Sequence, residues 1–382
     1  MRRVKLGDVA KWGSGGTPKR SNPAHFGSDI PWVSIADLND GLVLDTKEAL
    51  THAGLANSSA KLVPAGSLLV AMYGSIGKLG IAGRQLCTSQ AIAFAIPDRT
   101  RIDTRYLFHF LLANRQRLQS LGRGGTQLNI GQGDLKSMEI DLPALEEQRR
   151  FAAILDRADT IRTKRRQALA HVIGLPLSLF RSYKKETWPL VPLSELVLDH
   201  QIGLDRKASA QGPDREHEYV KMNAITRDGG LQLDSITRID ATPAEVEKFS
   251  LTEGDLILNT RNSRELVGKS AVYRGPSRVY NNNIMRIRFH EQATALVVHA
   301  YFWTREGRQA LERIKSGTTN VFAVYAKDLL KLRVPLVDDV TKAKYTAYTQ
   351  KLEGIKHKIN SAIEVDEALF ASLQSRAFKG EL

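Results

Sequence analysis

Glu146-Glu147-Gln148-Arg149-Arg150-Phe151-Ala152-Ala153-Ile154-Leu155 opens a tract in which apolar residues return every three or four positions. The pattern lasts for roughly 40 residues, which at the rise of an α-helix makes a rod about 60 Å long. Heptad positions a and d fall on Phe151, Ile154, Ala158, Ile161, Arg165, Ala168, Val172, Leu175 and Leu179. Adding 194 to each number lands on Tyr345, Tyr348, Leu352, Ile355, Ile359, Ala362, Asp366, Leu369 and Leu373, a second tract with the same repeat. Two long apolar seams in matched register are expected to pack on each other as an antiparallel coiled coil. Arg165 and Asp366 interrupt the seams at different levels, each facing an apolar partner or snorkelling outward. Pro176 should kink or end the first helix, because it removes a backbone donor and crowds the preceding turn.

The duplication extends outward from these tracts. Val4-Lys5-Leu6-Gly7-Asp8-Val9 is echoed by Val191-Pro192-Leu193-Ser194-Glu195-Leu196, an offset of about 190 residues. Pro64-Ala65-Gly66-Ser67-Leu68-Leu69-Val70 is echoed by Thr252-Glu253-Gly254-Asp255-Leu256-Ile257-Leu258, a glycine turn feeding an apolar strand. Both runs lead to a Gly-Lys pair, Gly77-Lys78 and Gly268-Lys269. Arg105-Tyr106-Leu107-Phe108 and Ala300-Tyr301-Phe302-Trp303 each read as the start of a helix. A polar glycine loop follows each, Gly122 to Asn129 and Ser316 to Asn320. The expected organisation is a unit over 1–144, a long helix over 145–186, a second unit over 187–339 and a second long helix over 340–382. The fold class is α+β, with mixed sheets in two similar units joined by the helix pair.

Composition limits the function. A formal charge of +14 and a pI near 9.8 need an anionic partner, nucleic acid first among them. Cys87 is the single cysteine, so neither an intramolecular disulfide nor a cysteine zinc cluster is available, which suits a cytoplasmic location. The N-terminus lacks the apolar run of a secretory signal, and no stretch reaches the length of a membrane span.

In this order and spacing the chain resembles the specificity subunits of type I restriction-modification systems over nearly its whole length. The segments that carry the resemblance are Gly15-Gly16-Thr17-Pro18, Ile30-Pro31-Trp32-Val33 and Ala71-Met72-Tyr73-Gly74-Ser75-Ile76-Gly77-Lys78 in the first unit. In the second they are Asn259-Thr260-Arg261-Asn262-Ser263 and Glu265-Leu266-Val267-Gly268-Lys269. Glu147-Gln148 and the ending Arg376-Ala377-Phe378-Lys379-Gly380-Glu381-Leu382 fit as well, whereas the second long helix starts Thr341-Lys342-Ala343-Lys344 without the Glu-Gln pair. The resemblance implies two target-recognition domains, each reading half of a split asymmetric DNA site, held apart by the helices. It implies no cofactor on this chain. Two adenine-N6 methyltransferase subunits would bring S-adenosylmethionine, and a restriction subunit that translocates would bring ATP and Mg.

Bases are read by Arg, Lys, Asn and Gln at groove edges, while phosphate contacts add affinity without sequence information. Candidates in the first unit are Lys19 and Arg20 after a glycine turn, Ser75 and Lys78 in a hairpin, and Arg123, Gln127 and Asn129 in the polar loop. In the second unit they are Lys221 and Asn223 on a strand, Asn259, Arg261, Asn262 and Arg264 after another, then Lys269, Asn282, Asn283, Thr319 and Asn320. A solvated turn explains any one of them as well as DNA contact does; the clustering is what points to DNA. Arg261, Arg264, Lys269 and Lys78 lead the set. Between Glu146 and Glu186 ten basic and five acidic residues leave an excess of five positive charges, a solvated helix face or one that meets DNA or an acidic partner.

The alternative is a DNA-acting enzyme with its own methyltransferase or nuclease site. Asn22-Pro23-Ala24-His25-Phe26 only faintly matches an amine-holding loop and precedes any room for a cofactor domain. Tyr73 to Leu79 ends in Gly-Lys yet lacks the leading glycine and the final hydroxyl of a phosphate loop. His200, His217, His290 and His299 are scattered, and Asp98 with Asp134-Leu135-Lys136 is a combination common to any sequence. An adaptor that uses its helices only for assembly is a further alternative; it predicts no sequence preference on DNA.

Overall fold

The structure, a computed structural model, describes residues 2–125, 127–185, 187–233, 236–317 and 320–382. The chain divides into two units, Met1–Arg166 with Ser361–Leu382, and Gln167–Asn360. No helix among the described residues is long and apolar enough to cross a membrane.

In the first unit the core sheet runs in the order Ala10–Ser14, Ile92–Pro97, Leu68–Ala71, Leu79–Ala82, Gly41–Val43. Its last pair is parallel and the others antiparallel, so the sheet is mixed. Leu68–Ala71 and Leu79–Ala82 are buried at every position, the signature of strands covered on both faces. Leu68, Val70, Leu79 and Ile81 face the helix Thr104–Ala113, and Leu69, Ala71, Ala82 and Phe94 pack with Val33, Leu38 and Val43 on the opposite face. Asp103 caps that helix, its carboxylate accepting from the amides of Arg105 and Tyr106 at 2.9 and 3.1 Å.

The second unit repeats this plan. Its core sheet runs Val197–Ile202, Ile284–Phe289, Leu256–Asn259, Ser270–Val272, and the helix Gln292–Phe302 covers one face. Each unit also carries a second sheet with one parallel pair, Ile30–Val33 with Cys87–Thr88 and His217–Val220 with Arg278–Tyr280. Arg2–Lys5 with Glu139–Leu142 and Leu190–Pro192 with Arg333–Pro335 close the two units in the same manner. The placement of Ala300-Tyr301-Phe302-Trp303 needs correction: it ends the helix Gln292–Phe302 rather than starting one. The start was masked because Ala295, Val297, Val298 and Ala300 are all buried, leaving little polar alternation to mark a face.

Helices Leu145–Tyr183 and Asp339–Lys379 are the two long tracts, and each gives one stretch to each unit. Within the first unit the stretches pack antiparallel. Arg162 bridges to Glu367 at 2.8 Å, Arg165 to Asp366 at 3.2 Å, and Arg165 also donates to the Ala362 carbonyl at 3.0 Å. The two polar interruptions of the seams thus pair with each other instead of facing apolar partners or solvent. Within the second unit Tyr345 meets Phe180 at 5.8 Å between ring centroids, and its hydroxyl donates to the Pro176 carbonyl at 3.3 Å.

The seam itself lies one residue away from half of its predicted positions. Ile161, Ala168, Leu175, Tyr348, Ile355 and Leu369 are exposed, and Ile154 is only half-buried. The inner positions are instead Leu155, Arg162, Leu169, Pro176, Thr349, Lys356, Ile363 and Phe370, alternating with Phe151, Ala158, Arg165, Val172, Tyr345, Leu352, Ile359, Asp366 and Leu373. The shift is the same in both copies, so the 194-residue relation survives it. Its cause is packing within each unit: Phe370 turns toward His109, and Tyr345 toward Phe180, which in turn meets Trp188. Polar Arg162 and Lys356 at inner positions hid that stripe from a hydropathy reading.

The first helix does not end at Pro176. The Val172 carbonyl loses its intrahelical donor there, and packing around Phe180 and Tyr345 sustains the following turns. Pro176→Ala restores that donor and should raise stability by about 1–3 kcal/mol; denaturant unfolding of the two proteins measures the gain, and a loss would show that the proline ring is needed for packing.

Gln148 explains the Glu-Gln start. Its buried amide accepts from the Asp103 amide at 2.9 Å and donates to the carbonyls of Arg101 and Pro143, both at 3.0 Å, which locks the long helix to the cap of Thr104–Ala113. Lys342 stands 194 residues later and is also buried. Its ammonium reaches Asp339 at 2.7 Å and Glu291, the residue that precedes Gln292–Phe302. A charged tie thus replaces the amide tie where the second tract lacks Glu-Gln.

Candidate nucleic-acid interface

In each unit the hairpin that follows the strand Leu68–Ala71 or Leu256–Asn259 is joined to the polar glycine loop. In the first, Gly74 donates to the Leu128 carbonyl at 3.1 Å, and Tyr73 and Arg123 both pair with Asn129. In the second, Arg261–Asn262 pairs with Phe322–Ala323, which pairs in turn with Ser316–Gly317, and Val324 donates to the Thr260 carbonyl at 2.9 Å. The joint builds one ledge from segments distant in sequence. Gly77 and Gly268 lie at φ of 78° and 84°, a left-handed turn that side chains resist, and this accounts for the shared Gly-Lys pair.

The lysines that follow have a common task. Lys78 Nζ donates to the Ile35 carbonyl at 3.1 Å and Lys269 Nζ to the Ile225 carbonyl, tying each hairpin to the segment after its parallel strand. Burial, then the nearby Arg227, hold the Lys269 ammonium below the usual lysine range. Ser75, Arg123 and Gln127 stand exposed on the first ledge, with Asn129 half-buried beneath them; Arg123 bridges to Asp134 at 3.1 Å. Arg261, Arg264 and Asn320 are exposed on the second, and Arg264 bridges to Glu312 at 2.6 Å. Thr319 lies outside the described residues.

Other candidates lie off the ledges. Arg20 is engaged by Glu48 at 2.5 Å and lies over the rings of Phe26 and Trp32 at 4.8 and 5.0 Å, with Lys19 exposed beside it. Asn259 is fully buried and donates to the Met222 carbonyl at 3.1 Å, so it braces the hairpin from within. Asn262 is half-buried, with its amide toward the Met222 sulfur at 3.5 Å. Lys221 and Asn223 do not lie on a strand: one follows His217–Val220 and the other sits in the turn Met222–Ala224. Lys221 donates to Gln211 at 3.0 Å, while Asn223 is exposed. Asn282 and Asn283 belong to a turn in which the Asn281 side chain accepts from the Asn283 amide at 2.8 Å.

Sequence reading missed Tyr73 and Leu128, exposed at 39% and 46% on the first ledge, where they offer apolar surface beside the polar side chains. Arg227, Arg308 and Lys315 were missed too, although Thr226-Arg227-Asp228-Gly229-Gly230 carries a plain turn signal.

The segments weighed for catalysis are used locally. Asn22 caps the turn Pro23–His25 and contacts His25 at 3.0 Å. Asp98 accepts from Thr100, and Asp134 from Gly131 and Arg123. Burial pushes the Cys87 thiol up to about 11, far from a nucleophile's range. Among the described residues no group of three or more His, Cys, Asp or Glu is placed to hold a metal.

The same hairpin-and-loop ledge thus recurs in the two units of this α+β chain. Residues 1–171 match a family model described as type I restriction modification DNA specificity domain. The EcoR124I/EcoR124II specificity subunit of Escherichia coli is 27% identical over 186 residues, 47% of this chain and 46% of that protein, so the match spans about half of that relative. The EcoKI specificity subunit of Escherichia coli strain K12 is 21% identical over 402 residues, covering 96% of this chain and 86% of that one. A solved S subunit of a type I restriction-modification system from M. genitalium superposes with a TM-score of 0.56 at 14% identity, covering 99% of this chain and 96% of that one. Over residues 1–171 the chain is thus similar to the type I restriction modification DNA specificity domain, and over nearly its whole length to the EcoKI specificity subunit.

Proposed function

We propose that this chain reads a DNA site in two separated parts. Residues 1–144 and 187–339 act as target-recognition domains, and 145–186 and 340–382 act as the spacer between them. The observation that carries this reading is the recurrence of one hairpin-and-loop ledge, with exposed Arg, Gln and Asn, in two units of similar plan. Each ledge engages a major groove, and the positive excess of the chain supplies salt-sensitive affinity for phosphates. Two adenine-N6 methyltransferase subunits carrying S-adenosylmethionine act on adenines flipped from the bound site. A restriction subunit using ATP and Mg completes the system in the cytoplasm.

Single substitutions on one ledge test the division of labour. Arg261→Ala should lower affinity for the cognate duplex by about 1–3 kcal/mol and relax base choice in one half-site only, and Gln127→Ala should do the same in the other. Competition by duplexes substituted base by base, measured with the chain bound to its methyltransferase, reads both effects. Relaxation spread over both halves by one substitution would refute the assignment of one ledge to one half-site.

A further inference from the structure

The junction between hairpin and helix differs between the two units in one respect. In the first, Arg115 fills it: its guanidinium donates to the Gly77 carbonyl at 2.8 Å and to Asp40 at 2.5 Å, and a Cβ on Gly77 would meet the Arg115 chain at 3.1 Å. In the second, the nearest atoms to a Cβ on Gly268 lie 3.9 Å away, and the space opens into a cleft of about 530 Å³. Its floor is apolar, with Val267, Phe302 and Leu311 buried.

Five cations and two carboxylates line this cleft. Glu312 is taken by Arg264 and Lys315, at 2.6 and 2.8 Å. Arg227 and Arg308 are exposed and have no ion pair among the described residues. The Arg308 guanidinium lies over the Trp303 ring at 4.7 Å, and the indole nitrogen is held toward the Ser270 carbonyl at 3.4 Å. Stacking of this kind fixes the plane of the guanidinium and leaves its N–H edge free for a bidentate acceptor. Lys269, tied to Ile225, adds a third positive charge at the back. Unpaired cations gathered over an apolar floor are mutually repulsive and are relieved by an anion.

We infer that this cleft is a phosphate site, with Arg308 and Arg227 as the clamp, present in the second unit and closed in the first. It rests on the DNA-reading proposal only for the source of the phosphate, either the DNA backbone or a free nucleotide. Contact with the backbone would make the second unit the stronger phosphate anchor and leave base choice untouched.

The test uses the full chain and two probes, a labelled duplex of arbitrary sequence and ATP. The slope of log affinity against log salt for the duplex should fall by roughly 1 in Arg308→Gln and by roughly 2 in Arg308→Gln with Arg227→Gln. Arg305→Gln, the same charge change on the same helix outside the cleft, should leave the slope at its wild-type value. Arg308→Lys should keep the slope and lose part of the affinity, because the ammonium lacks the fork. Calorimetric binding of ATP that Arg308→Gln abolishes, with an unchanged duplex slope, would support the site with free nucleotide as its source. An unchanged slope together with no Arg308-dependent ATP binding overturns the inference. Failure of the wild-type chain to bind duplex at any salt would count against the DNA-reading proposal instead, and the ATP arm would still judge the cleft.

Discussion

Replacing Phe370 by alanine is expected to remove about 4 kcal/mol of stability from the first unit. Its ring is buried, lies beneath the Arg162 guanidinium at 4.0 Å, and meets the edge of His109 at a centroid distance of 6.2 Å. Truncation leaves a void that Phe151 and Leu155 are too constrained to fill. It also exposes the network in which Asp156 accepts from His109 at 2.6 Å and from Arg105 at 2.9 Å. Burial alone would raise the Asp156 carboxyl, but those donors more than offset it and hold the group below its ordinary range. Leu369→Ala is the matched control, because Leu369 is 52% exposed and its truncation should stay within about 0.5 kcal/mol. Thermal unfolding should place the Phe370 variant roughly 10 °C below the wild type. Equal losses in the two variants would return the seam to the heptad register read from hydropathy.

Acid should weaken the second unit through His299. The ring sits between Ser270, whose hydroxyl lies 3.1 Å from Nδ1, and the edge of Trp303, and burial lowers its pKa to about 4. The unfolded chain takes up this proton near pH 6.5, whereas the folded chain resists until about pH 4. The stabilisation is therefore complete above pH 6.5 and is lost as the pH falls toward 4. His299 as a whole residue is only half-buried, which holds the loss to on the order of 2 kcal/mol. His299→Gln removes this dependence. Denaturant midpoints at pH 7 and pH 4.5 should draw together in the variant relative to the wild type, and an equal acid loss in both would assign the effect to the carboxylates.

The duplication and the α+β class were legible because they rest on strong local signals. Leu68–Ala71 and Leu256–Asn259 are apolar runs bounded by glycine turns, and two tracts repeat at a constant offset of 194. The helix face was not legible, since Arg162 and Lys356 take inner positions while Leu369 and Ile355 point outward, a choice made by packing within each unit. The candidate site was legible only in part. Arg261 and Gln127 stand on the ledges as turn chemistry suggested, but Asn259 is sealed inside. Nothing local marks the link between Tyr73 and Asn129, because it depends on a hairpin meeting a loop more than 50 residues away. Arg227 and Arg308 escaped for the same reason: their meeting at one cleft is tertiary.

Sequencing of DNA methylation in cells that carry the intact system, and in cells lacking only this chain, tests the central claim most directly. The account predicts methylated adenines in one motif of two defined halves separated by a fixed gap of unspecified bases, absent without the chain. A single unbroken motif, or methylation that persists without the chain, would contradict it.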